Sequence, residues 1–245
     1  MKLEWDQIGK RLYETGVDRG VVYPFTSGHY ENGVAWNGLT AVNESPSGAE
    51  PTVLYADNGK YVNVLSKEEL GLGVEAYSYP EVMEQFLGRT ILISGVTIGQ
   101  QNRKKFGFCY RTLVGDDIDG NDAGYKIHVV LRCLASPSEE SRNTMNDAPE
   151  AEGYSWTFDT TPLKIDEERE AAQMVFHSRE FIKAGIPNVL RALENTLYGT
   201  ETTNPTMLTF SSVDEIFTEH MYLSDSNGNN ILDSSGNQIR TFVID

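Results

Sequence analysis

The chain has 245 residues, 39% apolar and 23% charged, an ordinary globular balance that excludes a disordered class. Its formal net charge is -16 with a sequence pI near 4.6, which excludes a protein that grips nucleic acid through Lys and Arg. A chain this long buries roughly 70–75% of its unfolded surface, so it needs no disulfide or metal staple.

The opening, Met1-Lys2-Leu3-Glu4-Trp5-Asp6, has no apolar run after its single Lys. No signal peptide is expected, and no stretch reaches the roughly 18 apolar residues of a membrane span. Folding in a cytoplasm is expected. Residues 3–13 predict one short helix, with Leu3, Ile8 and Leu12 on one side. Gly16 and Gly20 bracket a turn. Residues 17–25 and 34–42 predict strands, separated by Ser27-Gly28-His29 and Asn32-Gly33.

Residues 43–72 predict an arm with its own structure. Ser45-Pro46-Ser47-Gly48 is a loop signal. Val53-Leu54-Tyr55 and Tyr61-Val62-Asn63-Val64 are short β-rich runs joined through Asp57-Asn58-Gly59, a hairpin signal. Ser66-Lys67-Glu68-Glu69 predicts a capping box and one helical turn.

Residues 73–79 alternate and predict a strand. Phe106, Phe108, Tyr110, Thr112 and Val114 alternate with a more polar set, and Tyr125, Ile127, Val129, Leu131 and Cys133 do the same. The two runs predict a long antiparallel hairpin with an acidic tip at 115–122. Tyr125, Ile127, Val129 and Leu131 form its expected core face. Tyr154, Trp156 and Phe158 mark another strand, ended by Thr161-Pro162. Pro187 and Gly199 bracket a helix whose apolar stripe is Val189, Leu190, Leu193 and Leu197. Thr200 to Asn204 reads as a polar linker. Residues 220–245 contain Gly228-Asn229 and Gly236-Asn237 and predict short strands in a hairpin or meander. The expected organisation is one domain over 1–204, carrying the arm at 43–72, and a C-terminal extension of short strands over 205–245.

No motif assembles an active site. There is no P-loop and no Gly-x-Ser-x-Gly elbow. Gly71-x-Gly73-x-x-Ala76 precedes a predicted strand instead of following one, so it is not a dinucleotide fingerprint. His29, His128, His177 and His220 are scattered and read as surface or packed residues. Cys109 and Cys133 sit in apolar strand patterns as small hydrophobes; a disulfide between them is allowed but not required. The acidic loops 117–122 and 225–233 lack the Gly and Glu positions of an EF-hand and read as solvated turns. Arg103-Lys104-Lys105 is expected to pair with neighbouring acidic surface. No enzyme activity, cofactor or metal is expected.

Several segments resemble the major tail proteins of siphophages that infect Gram-positive bacteria. Tyr13-Glu14-Thr15-Gly16-Val17-Asp18-Arg19-Gly20-Val21 is similar to that family's opening signature. Val34-Ala35-Trp36-Asn37-Gly38-Leu39-Thr40-Ala41-Val42 follows, continuing through Asn43-Glu44-Ser45-Pro46-Ser47-Gly48-Ala49-Glu50. Glu75-Ala76-Tyr77-Ser78-Tyr79-Pro80-Glu81 and Gly95-Val96-Thr97-Ile98-Gly99-Gln100-Gln101-Asn102-Arg103 come next. Phe106-Gly107-Phe108-Cys109-Tyr110-Arg111-Thr112-Leu113, Gly124-Tyr125-Lys126-Ile127-His128 and Leu197-Tyr198-Gly199 close the series. The likeness is colinear over roughly the first 200 residues and is least after Met207.

The resemblance implies a mainly β fold, a β-sandwich or barrel with a flanking α-helix and a long inter-strand arm. It implies a virion protein, assembled in the host cytoplasm, whose subunits form hexameric rings stacked into a tail tube. The arm, with Ser45, Pro46, Gly48, Tyr55 and Tyr61, is expected to bridge rings. Implied partners are the chain itself, a tape-measure protein, a tail terminator and a distal tail protein. Double-stranded DNA would transit the lumen without specific binding. Carboxylates at the wall would repel it over about 8 Å at physiological salt, with Asp116, Asp117, Asp119 and Asp122 as candidates. Two other readings stand beside this one. A tube protein of a tailocin or contractile injection particle would have a sheath gene beside its own. A carbohydrate-binding or hydrolytic β-sandwich would need a concave aromatic and carboxylate cluster.

Overall fold

The computed structural model describes residues 3–142, 144, 153–165 and 170–220. Over these residues the chain is mainly β. Its first seven strands are β1 (Tyr13–Thr26), β2 (His29–Tyr30), β3 (Val34–Trp36), β4 (Leu39–Gly48), β5 (Pro51–Ala56), β6 (Gly59–Leu65) and β7 (Glu68–Ala76). After a 3-10 turn at Glu81–Gln85 come β8 (Thr90–Ile93), β9 (Val96–Ile98), β10 (Phe106–Asp116), β11 (Gly120–Ala135), β12 (Tyr154–Thr160) and β13 (Gln173–His177). Three helices follow: α1 (Ser178–Lys183), α2 (Pro187–Tyr198) and α3 (Phe210–His220).

The hairpin β10–β11 is the spine, with β1 antiparallel to β10. The long strand β11 serves two neighbours. Lys126–Val130 pairs with β13, and Cys133–Ala135 pairs with β12, which leads on to β7 and β4. One face of the spine is covered by β12, β7, β3 and the 3-10 turn. There Trp36, Phe106, Phe108, Trp156 and Phe158 interlock, with Trp36 and Trp156 ring centroids 5.4 Å apart at 65°. The other face is covered by helices. The predicted stripe Val189, Leu190, Leu193 and Leu197 of α2 packs on Val21, Tyr23, Cys109, Ile127, Val129 and Leu131. Each such side chain contributes roughly 1.5–3 kcal/mol on burial. The Tyr23 hydroxyl donates to the Leu197 carbonyl at 2.6 Å and fixes the end of α2 to β1.

The spine is therefore buried on both faces, where the sequence predicts one. Ile127, Val129 and Leu131 do face the helix-covered core, with Tyr125 partly buried beside them. Phe108 and Tyr110 lie opposite Val130 and His128 on the other face. Cys133 leaves its predicted set. A register shift between Phe106 and Phe108, with Arg132 at φ 49, makes a bulge that turns Cys133 into the strand-covered core. Cys109 and Cys133 are consequently unbonded, in different cores.

Five local expectations are corrected. Residues 3–12 form no helix, because Asp6 and Gly9 take φ of 53 and 79 and the Gly9 N–H donates to Asp117 Oδ1. The expected turn between Gly16 and Gly20 is a bulged stretch of one continuous strand. The expected strand over 34–42 is broken at Gly38, φ 85. The loop at Ser45–Gly48 is instead strand, and no helical turn forms over Ser66–Glu69: Glu68 and Glu69 open β7, with Ser47 opposite Glu69 and Gly48 opposite Glu68. A local capping pattern loses there to a ladder formed with a distant partner.

The segment after Asn204 does not leave the domain at once. Met207 and Leu208 are buried in the helix-covered core, and Phe210, Val213, Ile216 and Phe217 of α3 pack against it. A capping box starts α3. The Ser212 N–H donates to Thr209 Oγ1 at 3.3 Å and the Thr209 N–H to Ser212 Oγ at 2.8 Å. Residues 210–220 are thus helical where short strands are expected. The Gly-Asn turns and the acidic loop 225–233 lie outside the described residues.

Candidate assembly surfaces

The arm is built by extending two paired strands past the body of the sheet. β7 pairs with β12 from Gly71 to Ala76, but the β4–β7 ladder continues to Gly48 and Glu68. Beyond Leu70 it is only two strands wide. Ser45 lies opposite Gly71 and Pro46 opposite Leu70. Pro46 lacks an N–H, which an edge strand tolerates. Gly48 takes φ 83, and a Cβ there would stand 2.3 Å from the Lys67 carbonyl oxygen, so only Gly fits the crossing.

Past this crossing the chain forms the separate ribbon β5–β6. Ala56 pairs with Gly59, so Asp57 and Asn58 are the turn, with φ of 50 and 62 as a type I′ hairpin requires. The turn sits one residue earlier than an Asn-Gly turn would. Tyr55 and Tyr61 are each 75% exposed, and Leu54, Val62, Val64 and Leu65 are exposed with them. Successive strand residues point to opposite faces, so both faces of the ribbon are bare.

At the arm's root is a polar cluster that the sequence reading missed. Glu44, on β4, reaches across to the spine. Its Oε1 accepts from the Tyr110 hydroxyl at 2.6 Å and from the Gln173 amide of β13, and stands 3.3 Å from His128 Nδ1. His128 is buried and stacks on Tyr110, with centroids 4.5 Å apart at 4°. Its Nε2 is 3.0 Å from Thr112 Oγ1, which donates to Glu14; Glu14 also pairs with Lys126. Glu44 and His128 are far apart in sequence, and no spacing within one element links them. Among the described residues, no group of His, Cys, Asp and Glu is placed to hold a metal ion. Both carboxylates are engaged by donors on neighbouring strands, so the cluster acts as a latch that ties the arm's root to the sheet.

The His128 ring beside Glu44, with Tyr110 and Gln173, holds its carboxyl down to about 2 against the cost of burial, from an ordinary 4.5. Burial raises Glu14, but Lys126 and Thr112 more than offset it and leave it below its ordinary value. A carboxylate depressed in the folded state stabilises above its unfolded pKa and loses that contribution as pH falls to the folded one. Acid titration followed by circular dichroism should therefore show stability flat above about pH 5 and falling between about 4.5 and 2. Glu44→Gln should shallow that acid limb. An unchanged limb would remove Glu44 from the latch.

The hairpin tip divides the four predicted acids. Asp116 is buried; its carboxylate accepts from the N–H groups of Asp119 and Ile118 at 2.7 and 2.9 Å and pairs with Arg179. Those backbone donors hold it below the usual carboxylate range. Asp117 accepts from the Gly9 N–H and lies 3.8 Å from Arg11. Asp119 and Asp122 are exposed, with no ion pair among the described residues. The basic run does not pair with acidic surface as expected; among the described residues its partners are neutral, Arg103 with the carbonyls of Ala135 and Ser136, Lys104 with Gln85, and Lys105 with Thr161.

No protein-family model matches the chain, and no curated protein matches it significantly.

Proposed function

We propose that the chain is a self-assembling structural subunit, the major tail-tube protein of a long-tailed bacteriophage. The observation that carries this reading is the arm. A two-stranded ribbon with bare tyrosines and aliphatics on both faces is marginal in water and gains its stability when another surface covers it. Open strand edges add to it. Among the described residues, no further strand pairs with the outer side of β4 or β13. Such edges are aggregation templates unless an assembly closes them. The ordered likeness to siphophage tail proteins joins these features to hexameric rings stacked into a tube. In this reading the chain's partners are its own copies and then the tape-measure, terminator and distal tail proteins. DNA would pass along an acidic wall, where Asp119 and Asp122 are better placed to act than Asp116 or Asp117, whose charges are already engaged.

Negative-stain microscopy of the purified protein tests the reading. Rings or tubes are the expected result. A protein that stays monomeric at every concentration and salt tried would overturn it.

A further inference from the structure

A second freestanding ribbon, β8–β9, lies between the 3-10 turn and β10. Its base is fixed to the body. The Gln101 N–H donates to the Gly88 carbonyl at 2.8 Å. Arg89 Nη1 lies 3.2 Å from Tyr79 Oη and 3.3 Å from Glu84 Oε1, and Arg89 also pairs with Glu140. Phe86 and Leu87, just before it, are buried in the strand-covered core. The ribbon above this base is bare. The consecutive residues Ile91, Leu92 and Ile93 are 55%, 61% and 64% exposed, so both faces are open.

Charge identifies the occupant. From Thr90 through Asn102 there is no charged side chain, in a chain that is 23% charged. Two copies of a protein with net charge -16 repel each other. Their contact costs least where no carboxylate must be brought together and desolvated. The ribbon is such a place. Nucleic acid or an anionic bilayer would need Lys or Arg here, and the ribbon offers none. We infer that β8–β9 inserts into a second copy of this chain, which covers both its faces, as an assembly contact separate from the arm. This rests on the tube reading and adds a second self-contact to it.

The test is Leu92→Glu with Ile93→Glu in the full chain, followed by sedimentation velocity over a concentration series and by negative stain. The positions are exposed, so circular dichroism and the melting temperature should match the parent. The onset of assembly should move to about tenfold higher concentration or more, since each buried aliphatic is worth about that factor. If the double variant fails to fold, Leu92→Ser with Ile93→Ser carries the same readout. Assembly at the parent's concentration would overturn the inference and leave the tube reading standing. A parent that never assembles would overturn the tube reading and the inference with it. Flotation of the parent monomer with phosphatidylcholine vesicles, lost in the variant, would give the ribbon to a lipid surface and also overturn it.

Discussion

Ile127→Asp should yield no soluble folded protein. Ile127 is fully buried at the centre of β11, between Arg111 on β10 and Phe176 on β13, under the helix layer. The substitution removes a burial contribution of roughly 1.5–3 kcal/mol and places a carboxylate where it costs several kcal/mol more, charged or protonated. Domains have only about 5–15 kcal/mol of stability to lose. The neighbouring Arg111 does not rescue the new carboxylate. Its guanidinium already holds both Asp18 oxygens, at 2.7 and 2.6 Å. Val129→Asp, opposite Cys109, should behave alike without any cation nearby. Ile127→Val should cost only about 0.5–1.5 kcal/mol and fold. Soluble yield and circular dichroism read the outcome. A folded Ile127→Asp monomer would mean that this face of β11 is not sealed by the helices.

The parts of the fold legible in sequence are those set by local periodicity. The stripe of α2 and the alternation at Tyr154, Trp156 and Phe158 need only neighbours within one element, and both stand in the structure. The Asp57–Gly59 turn is legible for the same reason. What sequence missed depends on distant partners. Ser66–Glu69 looks like a capping box, but Gly48 and Ser47 recruit Glu68 and Glu69 into a ladder. The segment 3–12 has helical spacing, yet it lies over the hairpin tip through Asp117. The bulge at Arg132 reverses the faces of β11 without a Gly to announce it. α3 did have a local signal in Thr209 and Ser212, with Phe210, Val213 and Phe217 at helical spacing. Of the candidate surfaces, the arm was visible as a β-rich insertion with turn residues. The latch was not, because Glu44, Tyr110, His128 and Gln173 come from four strands that only the sheet order brings together.

On the proposed tube reading, deleting residues 49–66 should give a folded monomer that makes no tubes. The cut removes β5 and β6, which pair only with each other and bury almost nothing in the body. The remaining ends are already adjacent. Ser47 stays opposite Glu69, with Gly48, Lys67 and Glu68 between them, a three-residue hairpin loop of common length. Gly48 keeps the positive φ that such a loop needs. The latch at Glu44 and both cores lie inward of the cut, so thermal stability should change little. Assembly should change greatly. Covering even two or three of Leu54, Tyr55, Tyr61, Val62, Val64 and Leu65 is worth about 5 kcal/mol, roughly a thousandfold or more in association. Light scattering after size exclusion, with negative stain, would show a monomer at concentrations where the full chain polymerises. The β8–β9 ribbon remains in this variant, but without the arm it should not join subunits into tubes. Tubes of normal length from the shortened chain would remove the arm from the contact between rings and leave the open edges of β4 and β13 and the ribbon to carry it.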